Sequence, residues 1–343
     1  MKVLFQINPY NQQRQDYKPI WIYPVLMASY ATYLHNQGND IVWDKTDDGS
    51  YDKVITSERQ IDIPFLELPP PDRILTDAKN RKFQEMGNYK YLPATHIMAT
   101  PSCHYGKCSF CVVAEQYPFI KVRSVDSVLD EIGVCIEQGY HEVFDDSSTF
   151  PIGKWLQDFC NGMISRGYNK KVRVGCNMRL DYQHPNDSGM SYMRETGFRM
   201  VLYGLESANQ TTLDSINKGI NIQSAIDNIK RSARCGLEPH LAVMFGFPNE
   251  DYEDALKTLN LVKYLLIKGY AKTAQATVLT PYPRTPLYKQ YPTISVDYDA
   301  NKLCKRIYEC GYFPEFWVHK ALEIRNLNDI RYVWKSVKKA IQQ

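Results

Sequence analysis

The stretch HIMATPSCHYGKCSFC (96–111) joins an apolar run to a loop that carries three cysteines. The apolar run predicts a β-strand, and the glycine-containing segment behind it predicts a loop. Cys103, Cys108 and Cys111 follow the spacing C-x4-C-x2-C, and no second C-x2-C pair exists in the 343 residues. The stretch therefore places three thiols, without a fourth beside them, at the end of a predicted strand.

Five further strand-like runs follow this one, and helix-like segments separate them. Alternating strands and helices predict a parallel sheet, and six β/α units are two short of a closed eightfold barrel. We therefore predict an α/β fold, a partial (β/α)6 TIM-like barrel, whose ligands bind at the carboxyl ends of the strands, where the cysteine loop lies. The later runs are HEVFDD (141–146), VRVGCNMR (172–179), FRMVLYGLE (198–206), PHLAVMFGF (239–247) and TAQATVLT (273–280).

The regions on either side of this repeat have a different pattern. The first contains a strand, an amphipathic helix and a second strand, and then turns polar up to the proline-rich connector ELPPPDR (67–73). The last is helical in pattern and mixed in charge. We predict a small N-terminal α/β cap over 1–92, a barrel core over 93–290 and a C-terminal helical extension over 291–343.

The composition, 44% hydrophobic and 23% charged with a net charge of +3, is that of a soluble globular protein. No run of about 18 apolar residues is present, and the N-terminus lacks the pattern of a secretory signal. Nine cysteines, an odd count, argue against a secreted disulfide framework and for a reducing compartment. We therefore expect a cytoplasmic protein without a membrane partner, in which most cysteines outside the loop are buried.

Three kinds of metal site compete for the cysteine loop. A structural zinc site needs four protein ligands, normally in two pairs, and only one C-x2-C pair is present. A plant-type ferredoxin cluster needs a distant fourth cysteine, for which Cys135 and Cys160 are formal candidates, but both fall in predicted helices. We favour the third alternative, a four-iron cluster held by three thiolates, with one iron left open for a small ligand.

The segment KCSFC (107–111) resembles the signature of the radical S-adenosylmethionine (SAM) enzymes, in which an aromatic residue precedes the last cysteine. That family's usual spacing is C-x3-C-x2-C, so this chain has one extra residue between Cys103 and Cys108, in a stretch that contains Gly106. Five later segments resemble the family's strand ends in the same order, and Arg284 stands where the family has a glycine. The segments are FDDSSTF (144–150), CNMRLD (176–181), YGLESANQTTLDSINKG (203–219), VMFGFPNEDYEDALKTLNLVK (243–263) and LTPYPRTPLY (279–288).

The resemblance implies a [4Fe-4S] cluster on Cys103, Cys108 and Cys111, with the amino and carboxylate groups of SAM on the open iron. One electron, from a donor such as flavodoxin or ferredoxin, would cleave SAM to a 5′-deoxyadenosyl radical that abstracts a hydrogen atom from the substrate. Core packing, a surface ion pair or helix capping is the alternative role for each further candidate. These candidates are Asp145 or Asp146 for the amino group, Arg179 for the carboxylate, Glu206 and Ser207 for the amino group or ribose, and Phe110, Met244, Phe245 and Tyr282 around the adenine.

The resemblance covers about residues 94–290 and is closest to the subgroup that often carries an N-terminal cobalamin-binding domain. Residues 1–92 resemble the start of such a domain and the linker that ends one, with only about fifty residues between them. The motif Asp-x-His-x-x-Gly, which supplies the family's cobalamin ligand, is absent, and His35 stands in a different context. We interpret 1–92 as a shortened remnant that packs on the barrel, and expect no cobalamin.

The resemblance leaves the substrate and the outcome of the reaction open. Because neither a cobalamin motif nor the extra domains of the sulfur-inserting relatives are evident, we favour isomerisation or rearrangement of a small molecule or a modified nucleobase. A radical SAM methyltransferase is the alternative enzyme. The non-enzymatic alternatives are an iron–sulfur electron carrier and a nucleic-acid-binding protein, and the basic stretches KNRKF (79–83) and WKSVKKA (334–340) leave a nucleic-acid partner open.

Overall fold

The N-terminal part of the chain forms a small parallel sheet with one helix against it, as predicted for the α/β cap. The computed structural model describes residues 1–8, 22–86, 89–181 and 185–309. In the cap, the first strand lies between the second and the third. The elements are β1 (Lys2–Phe5), α1 (Val25–Asn36), β2 (Asp40–Trp43), β3 (Lys53–Ile55) and α2 (Arg81–Met86), with short 3-10 turns at Glu58–Gln60 and Phe65–Glu67.

The six-stranded sheet of the core is parallel throughout, and its strand order follows the chain. Consecutive β/α units produce this order, because each crossover places the next strand beside the last one. Among the described strands the first and last of the core form the two edges, so the barrel is open and the predicted partial (β/α)6 fold is confirmed. The strands are β4 (Ala94–Ile97), β5 (Glu142–Asp145), β6 (Arg173–Met178), β7 (Phe198–Glu206), β8 (Glu238–Phe245) and β9 (Thr273–Val278).

Helices return the chain from one core strand to the next, and most begin at a residue whose side chain accepts a hydrogen bond from the first turn. These capping residues are Ser124, Asn186, Asn209, Asn221, Asp251 and Thr285. The helices are α3 (Val113–Gln116), α4 (Val125–Glu137), α5 (Lys154–Ser165), α6 (Asp187–Glu195), α7 (Gln210–Ser215), α8 (Ile222–Arg234), α9 (Tyr252–Ile267), α10 (Pro286–Gln290) and α11 (Ala300–Glu309), with a 3-10 turn at Tyr168–Lys170.

Helix α11 belongs to the predicted C-terminal extension. Residues 310–343 of that extension, with Cys310 and the basic stretch WKSVKKA (334–340), lie outside the described residues. Among the helices that are described, none has both the length and the apolar composition that crossing a bilayer requires.

The helices pack on one face of the core sheet through large apolar side chains. Phe150, Phe159 and Phe198 meet edge to face, with ring centroids 5.5, 5.6 and 5.8 Å apart. Such aromatic pairs stabilise a core by about 0.5–1.5 kcal/mol each beyond their burial. Gly162 of α5 lets α4 approach closely, because a Cβ at this position would lie 2.2 Å from Cδ1 of Leu129. This packing holds α4 and α5 side by side on the sheet.

A buried ion cluster closes the amino ends of the strands. Arg199, only 2% exposed, donates from Nε to Oε1 of Glu142 (3.0 Å) and from Nη1 to Oε2 of Glu238 (2.5 Å). The other oxygen of Glu142 accepts the backbone N–H groups of Lys90 and Tyr91 at 2.9 and 3.0 Å. The charges at this end are therefore paired with one another, whereas the opposite end carries the cysteine loop.

A buried glutamate fastens the cap to the core. Glu131 of α4 is 2% exposed and accepts hydrogen bonds from Arg73 (Nη2–Oε1 2.5 Å) and, through its other oxygen, from Arg123. Arg73 also donates to the backbone oxygen of His96 (2.8 Å) and to Oγ1 of Thr95 (3.1 Å), both in β4. Burial alone would raise the pKa of Glu131, but the two guanidinium groups hold it below its usual value.

We expect Arg73→Ala to lower the free energy of unfolding by about 3 kcal/mol, because it leaves Glu131 buried with one of its two charged partners. The matched control is Arg166→Ala, which removes exposed pairs with Asp126 and Asp130 and should cost less than about 1 kcal/mol. Denaturant unfolding measures both. The stabilisation should be present above the pKa of an unfolded glutamate and lost as the pH falls through the lower folded-state pKa. Equal losses in the two variants would contradict the role given to Arg73.

Candidate active site

The three cysteines of the loop lie between β4 and α3, and all three are free and partly exposed. Burial raises the pKa of the Cys111 thiol, the Val113 amide opposes this shift, and the neighbouring Cys108 and Cys103 thiols raise the pKa further. The three sulfurs are therefore close enough to influence one another. Within the described residues, no three His, Cys, Asp or Glu side chains converge on a single metal ion. The thiols lie near one another and are partly exposed, so a ligand can reach them.

Hydrogen bonds tie the cysteine loop to two other strand ends. The backbone N–H of Ser109 donates to the carbonyl of Ile216 (2.9 Å), and Nδ2 of Asn217 donates to the carbonyl of Lys107 (2.9 Å). From α10, the N–H of Leu287 donates to the carbonyl of Ser109 (2.9 Å). The path of the loop is thus set by contacts with the segments that follow β7 and β9.

Tyr105 lies in the four-residue spacer between the first two cysteines and reaches the same segment. Its hydroxyl donates to the carbonyl of Asn217 at 2.9 Å. Gly219 has a φ of +66°, and a Cβ there would lie 2.3 Å from the Tyr105 hydroxyl. Only glycine suits both the left-handed backbone and this close approach. Within the spacer, Gly106 also takes a left-handed φ of +59°, which turns the chain toward Cys108.

Arg179 follows β6 directly, and protein groups surround its guanidinium. Nε donates to Oδ2 of Asp181 (2.7 Å), and Nη2 donates to the carbonyl of Lys218 (2.5 Å). Nη1 lies 3.7 Å from the sulfur of Cys108, and Cζ lies 3.9 Å from the centre of the Tyr105 ring. The sequence-based prediction assigned Arg179 to binding the SAM carboxylate. In the structure, each of its three guanidinium nitrogens faces a protein atom.

Glu206 and Lys218 form a buried ion pair at the end of β7. Nζ of Lys218 lies 2.7 Å from Oε1 of Glu206, and the two residues are 6% and 8% exposed, respectively. Glu206 has a left-handed φ of +64°, at the point where the register of β7 against β8 shifts. Gly204 makes room for its carboxylate, since a Cβ there would lie 2.5 Å from Oε1. The same ammonium group lies 6.0 Å from the ring centre of Phe110.

Cations and thiols therefore share the carboxyl end of the barrel. Burial raises the pKa of the Cys108 thiol, while Lys218 and Arg179 both act to lower it. Neighbouring cations stabilise thiolates, and a cluster bound by three thiolates carries negative charge. The residues present at this face fit a [4Fe-4S] cluster.

The two neighbouring aspartates at the end of β5 differ in accessibility. Asp145 is fully buried and accepts the N–H groups of Ala99 (2.9 Å) and Ser147 (3.0 Å). Burial raises its pKa to about 7, although these hydrogen bonds oppose the shift. The side chain of Asp146 is 38% exposed, and its Oδ2 lies 3.7 Å from Nδ1 of His96. The structure thus places Asp146, and not Asp145, where a ligand has access.

Ser207 is completely buried behind the strand ends. Its hydroxyl accepts the N–H of Asn209 (3.1 Å) and lies 3.3 Å from Oγ1 of Thr258 and 3.5 Å from Oε1 of Glu250. Glu250 also accepts the hydroxyl of Tyr298 at 2.5 Å. Asn209, and not Ser207, caps α7. Ser207 belongs to a polar network that fastens the loops after β7 and β8.

The apolar candidates fall in three environments. Phe110 and Met244 are half-buried and pack against one cluster, which includes Ile216. Phe245 is 0% exposed within the main hydrophobic core, whereas Tyr282 is 51% exposed. The structure therefore brings Phe110 and Met244 together and keeps Phe245 apart from them, in the core.

Two ion pairs at this face were not predicted. Lys218 lies twelve residues after its partner Glu206, and a lysine before a glycine has no distinctive pattern. Arg284 lies with Nη1 2.9 Å from Oε1 of Glu115, in the helix that begins just after Cys111. Only its departure from the family's glycine marked Arg284 in the sequence, because a partner 169 residues away leaves no local pattern.

Comparison with known proteins identifies the same region of the chain. The model of the radical SAM superfamily matches residues 97–262, from the end of β4 to α9. This chain contains a radical SAM domain. The family predicted from the cysteine spacing and the strand-end segments is confirmed, and membership implies a [4Fe-4S] cluster and SAM as cofactors.

Two relatives show how far the similarity extends. The chain is 27% identical over 239 residues to an uncharacterized methyltransferase of Pyrococcus horikoshii. The aligned region covers 69% of this chain and 47% of that protein. It is 27% identical over 209 residues to the anaerobic magnesium-protoporphyrin IX monomethyl ester cyclase of Cereibacter sphaeroides, which covers 59% of this chain and 33% of that protein. The chain thus spans less than half the length of these relatives.

A solved structure with a similar fold is that of the cobalamin-dependent S-adenosylmethionine radical enzyme OxsB with aqua-cobalamin bound. It matches with a TM-score of 0.55 over 82% of this chain and 49% of that chain. The sequence identity is 11%, so the likeness concerns the fold. Because this radical SAM enzyme binds cobalamin, the comparison does not support the expectation that the present chain lacks it.

We expect Gly219→Ala to lose most of the iron that the wild-type protein binds after anaerobic reconstitution, because its methyl group would displace Tyr105 and the loop. The matched control is Gly139→Ala, since Gly139 has a φ of +80° with nothing within 4 Å. Both variants should lose about 1–3 kcal/mol of stability from backbone strain. Iron and sulfide assays on the two folded variants measure the difference, and equal iron contents would contradict the steric role of Gly219.

Proposed function

We propose that this chain is an enzyme that binds a [4Fe-4S] cluster through Cys103, Cys108 and Cys111, and SAM at the iron that these thiolates leave open. The observation that carries the proposal is the grouping of three free thiols at a strand end, beside Arg179 and Lys218. When bound, the cluster supplies the electron that cleaves SAM to a 5′-deoxyadenosyl radical. The protein's own contribution is to bind and orient SAM and substrate and to exclude competing reactions.

The polar groups of SAM have candidate partners around the ion pair at the end of β7. We place the SAM carboxylate at Lys218, because the donors of Arg179 are directed at protein atoms. Glu206 holds the Lys218 ammonium group at 2.7 Å and offers its second oxygen to the SAM amino group or ribose. Asp146, with an exposed side chain, is the second candidate for the amino group.

The remaining predicted residues either contact the adenine or fix the strand ends in our proposal. Phe110 and Met244, half-buried in one cluster, frame the adenine in our proposal. Tyr282 lies exposed at the rim, where it can cover a bound nucleoside. Asp145, Ser207 and Phe245 are buried, so we give them the supporting role of fixing the strand ends.

Our first candidate reaction is abstraction of a hydrogen atom that leads to isomerisation or rearrangement of a small molecule or a modified nucleobase. The inner face of the barrel carries Phe144, Met200 and Leu202 beside the imidazole of His96, a mixed surface that suits a small organic substrate. Two of the three basic residues of KNRKF have partners within the protein, since Lys79 donates to the carbonyl of Gln138 and Lys82 pairs with Asp44. This favours a small substrate over nucleic acid.

Our second candidate is methyl transfer. The similarity to a protein named as a methyltransferase favours it, and so does the fold shared with a cobalamin-dependent enzyme. In this chain the cap sheet has three described strands, and the Asp-x-His-x-x-Gly motif is absent. We therefore keep a cobalamin-free enzyme as the first candidate, in the cytoplasm, with a flavodoxin or ferredoxin as electron donor.

We expect the anaerobically reconstituted protein, reduced with dithionite and supplied with SAM, to release 5′-deoxyadenosine. Cys108→Ala should lose both the brown colour and this activity, because one of three cluster ligands is removed. The matched control is Cys235→Ala, which removes a partly exposed thiol outside the loop and should leave both unchanged. Full activity in Cys108→Ala would contradict the ligand assignment, and an iron-loaded wild type that releases no 5′-deoxyadenosine would favour an electron carrier.

We expect hydroxocobalamin to be removed from the protein by desalting, because the motif that supplies its ligand is missing. The measurement is the absorption spectrum of the desalted, cluster-loaded protein, with a protein-free sample as the background. Cobalamin retained at near-unit stoichiometry would overturn the cobalamin-free proposal. Release of S-adenosylhomocysteine in the same mixture would then favour methyl transfer.

A further inference from the structure

We propose that Arg179 is a positioning residue for the cluster: its guanidinium, locked by Asp181 and Tyr105, donates a hydrogen bond to the Cys108 sulfur and raises the reduction potential of the bound cluster. The inference rests on the proposed function, since it requires that Cys108 be a cluster ligand. It gives Arg179 a role different from binding the SAM carboxylate.

Two hydrogen bonds fix the Arg179 guanidinium so that its third nitrogen is directed at a cysteine sulfur. Arg179 is 8% exposed, and its donors form a planar fork that cannot turn one N–H without turning the others. Nε is held by Asp181 at 2.7 Å, and Nη2 is held by the carbonyl of Lys218 at 2.5 Å. With these two fixed, Nη1 is directed at the sulfur of Cys108, 3.7 Å away.

The four-residue spacer between Cys103 and Cys108 supplies two side chains that help to hold Arg179 in place. The spacer supplies Tyr105, whose ring centre lies 3.9 Å from Cζ of Arg179 and forms a shelf for the planar cation. The tyrosine is itself fixed, because its hydroxyl bonds to the carbonyl of Asn217 and Gly219 leaves it room. The spacer also supplies His104, whose Nε2 lies 3.5 Å from Oδ2 of Asp181, the carboxylate that anchors Nε. The extra residue is thereby connected to the placement of Arg179.

The effect on the cluster follows from electrostatics. Uptake of one electron makes the cluster more negative, so a nearby cation and a hydrogen bond to a thiolate stabilise the reduced form over the oxidised form. Asp181 compensates part of the guanidinium charge, but it does so at Nε, whereas Nη1 faces the sulfur. Removal of Arg179 should therefore make reduction harder and shift the midpoint potential to a more negative value.

The test uses reconstituted, cluster-loaded protein and a redox titration with dithionite as the one-electron source, followed by electron paramagnetic resonance. We expect Arg179→Gln to have a more negative midpoint potential than the wild type. The matched control is Arg173→Gln, at the other end of the same strand, which should leave the potential unchanged. Arg179→Lys, which keeps the charge and loses the planar fork, should shift the potential in the same direction by a smaller amount.

The affinity for SAM separates this role from carboxylate binding. Arg179→Gln should leave the SAM dissociation constant unchanged, measured by titration of the oxidised holoprotein, whereas Lys218→Met should weaken it at least tenfold. A wild-type potential in Arg179→Gln overturns the inference. If this variant also binds SAM weakly, the result supports the earlier assignment of Arg179 to the SAM carboxylate.

Iron content distinguishes failure of this inference from failure of the proposed function. A wild type that binds no iron–sulfur cluster refutes both. If Arg179→Gln does not load a cluster, Arg179→Lys decides: a negative shift supports the positioning role, and an unchanged potential in the loaded variant overturns it.

Discussion

The hydrogen bonds between the cysteine loop and the segment after β7 are the constraint on which the site depends. Three backbone carbonyls in residues 216–219 accept these hydrogen bonds. The first accepts the N–H of Ser109, the second accepts the hydroxyl of Tyr105, and the third, that of Lys218, accepts Nη2 of Arg179. The loop after β4 and the side chain after β6 are thus positioned by one piece of backbone between α7 and α8. A parallel sheet makes this convergence available, because the carboxyl ends of all its strands meet at one face.

Charge is distributed unequally between the two ends of the barrel. At the amino ends, Arg199 is enclosed by Glu142 and Glu238, so the charged groups satisfy one another. At the carboxyl ends, Lys218 and Arg179 each have one carboxylate partner and also lie near Cys108. Buried ion pairs cost desolvation wherever they occur. At the amino ends they close the barrel, whereas at the carboxyl ends they place cations beside the free thiols of the cysteine loop.

The sequence reveals features that recur locally and hides those made by distant residues. Six apolar runs separated by helix-like segments predicted the core strands, and the cysteine spacing with the strand-end segments predicted the family. Lys218 could not be recognised, because its burial follows from the left-handed turn at Glu206 and from space left by Gly204. Likewise, Asp145 and Asp146 are chemically identical in the sequence, and only their different directions at the end of β5 leave one buried and the other partly exposed.

The extra residue between Cys103 and Cys108 lengthens the spacer that connects the cysteine loop to other parts of the site. A longer spacer has one more residue to accommodate between two cysteines. In this loop Gly106 takes a left-handed turn, and the side chain of Tyr105 extends away from the loop toward Asn217. Its ring then meets the guanidinium of Arg179, and its hydroxyl meets the backbone of Asn217. The spacer therefore links the cysteines to two other strand ends, and a three-residue spacer would have one side chain fewer with which to make those contacts.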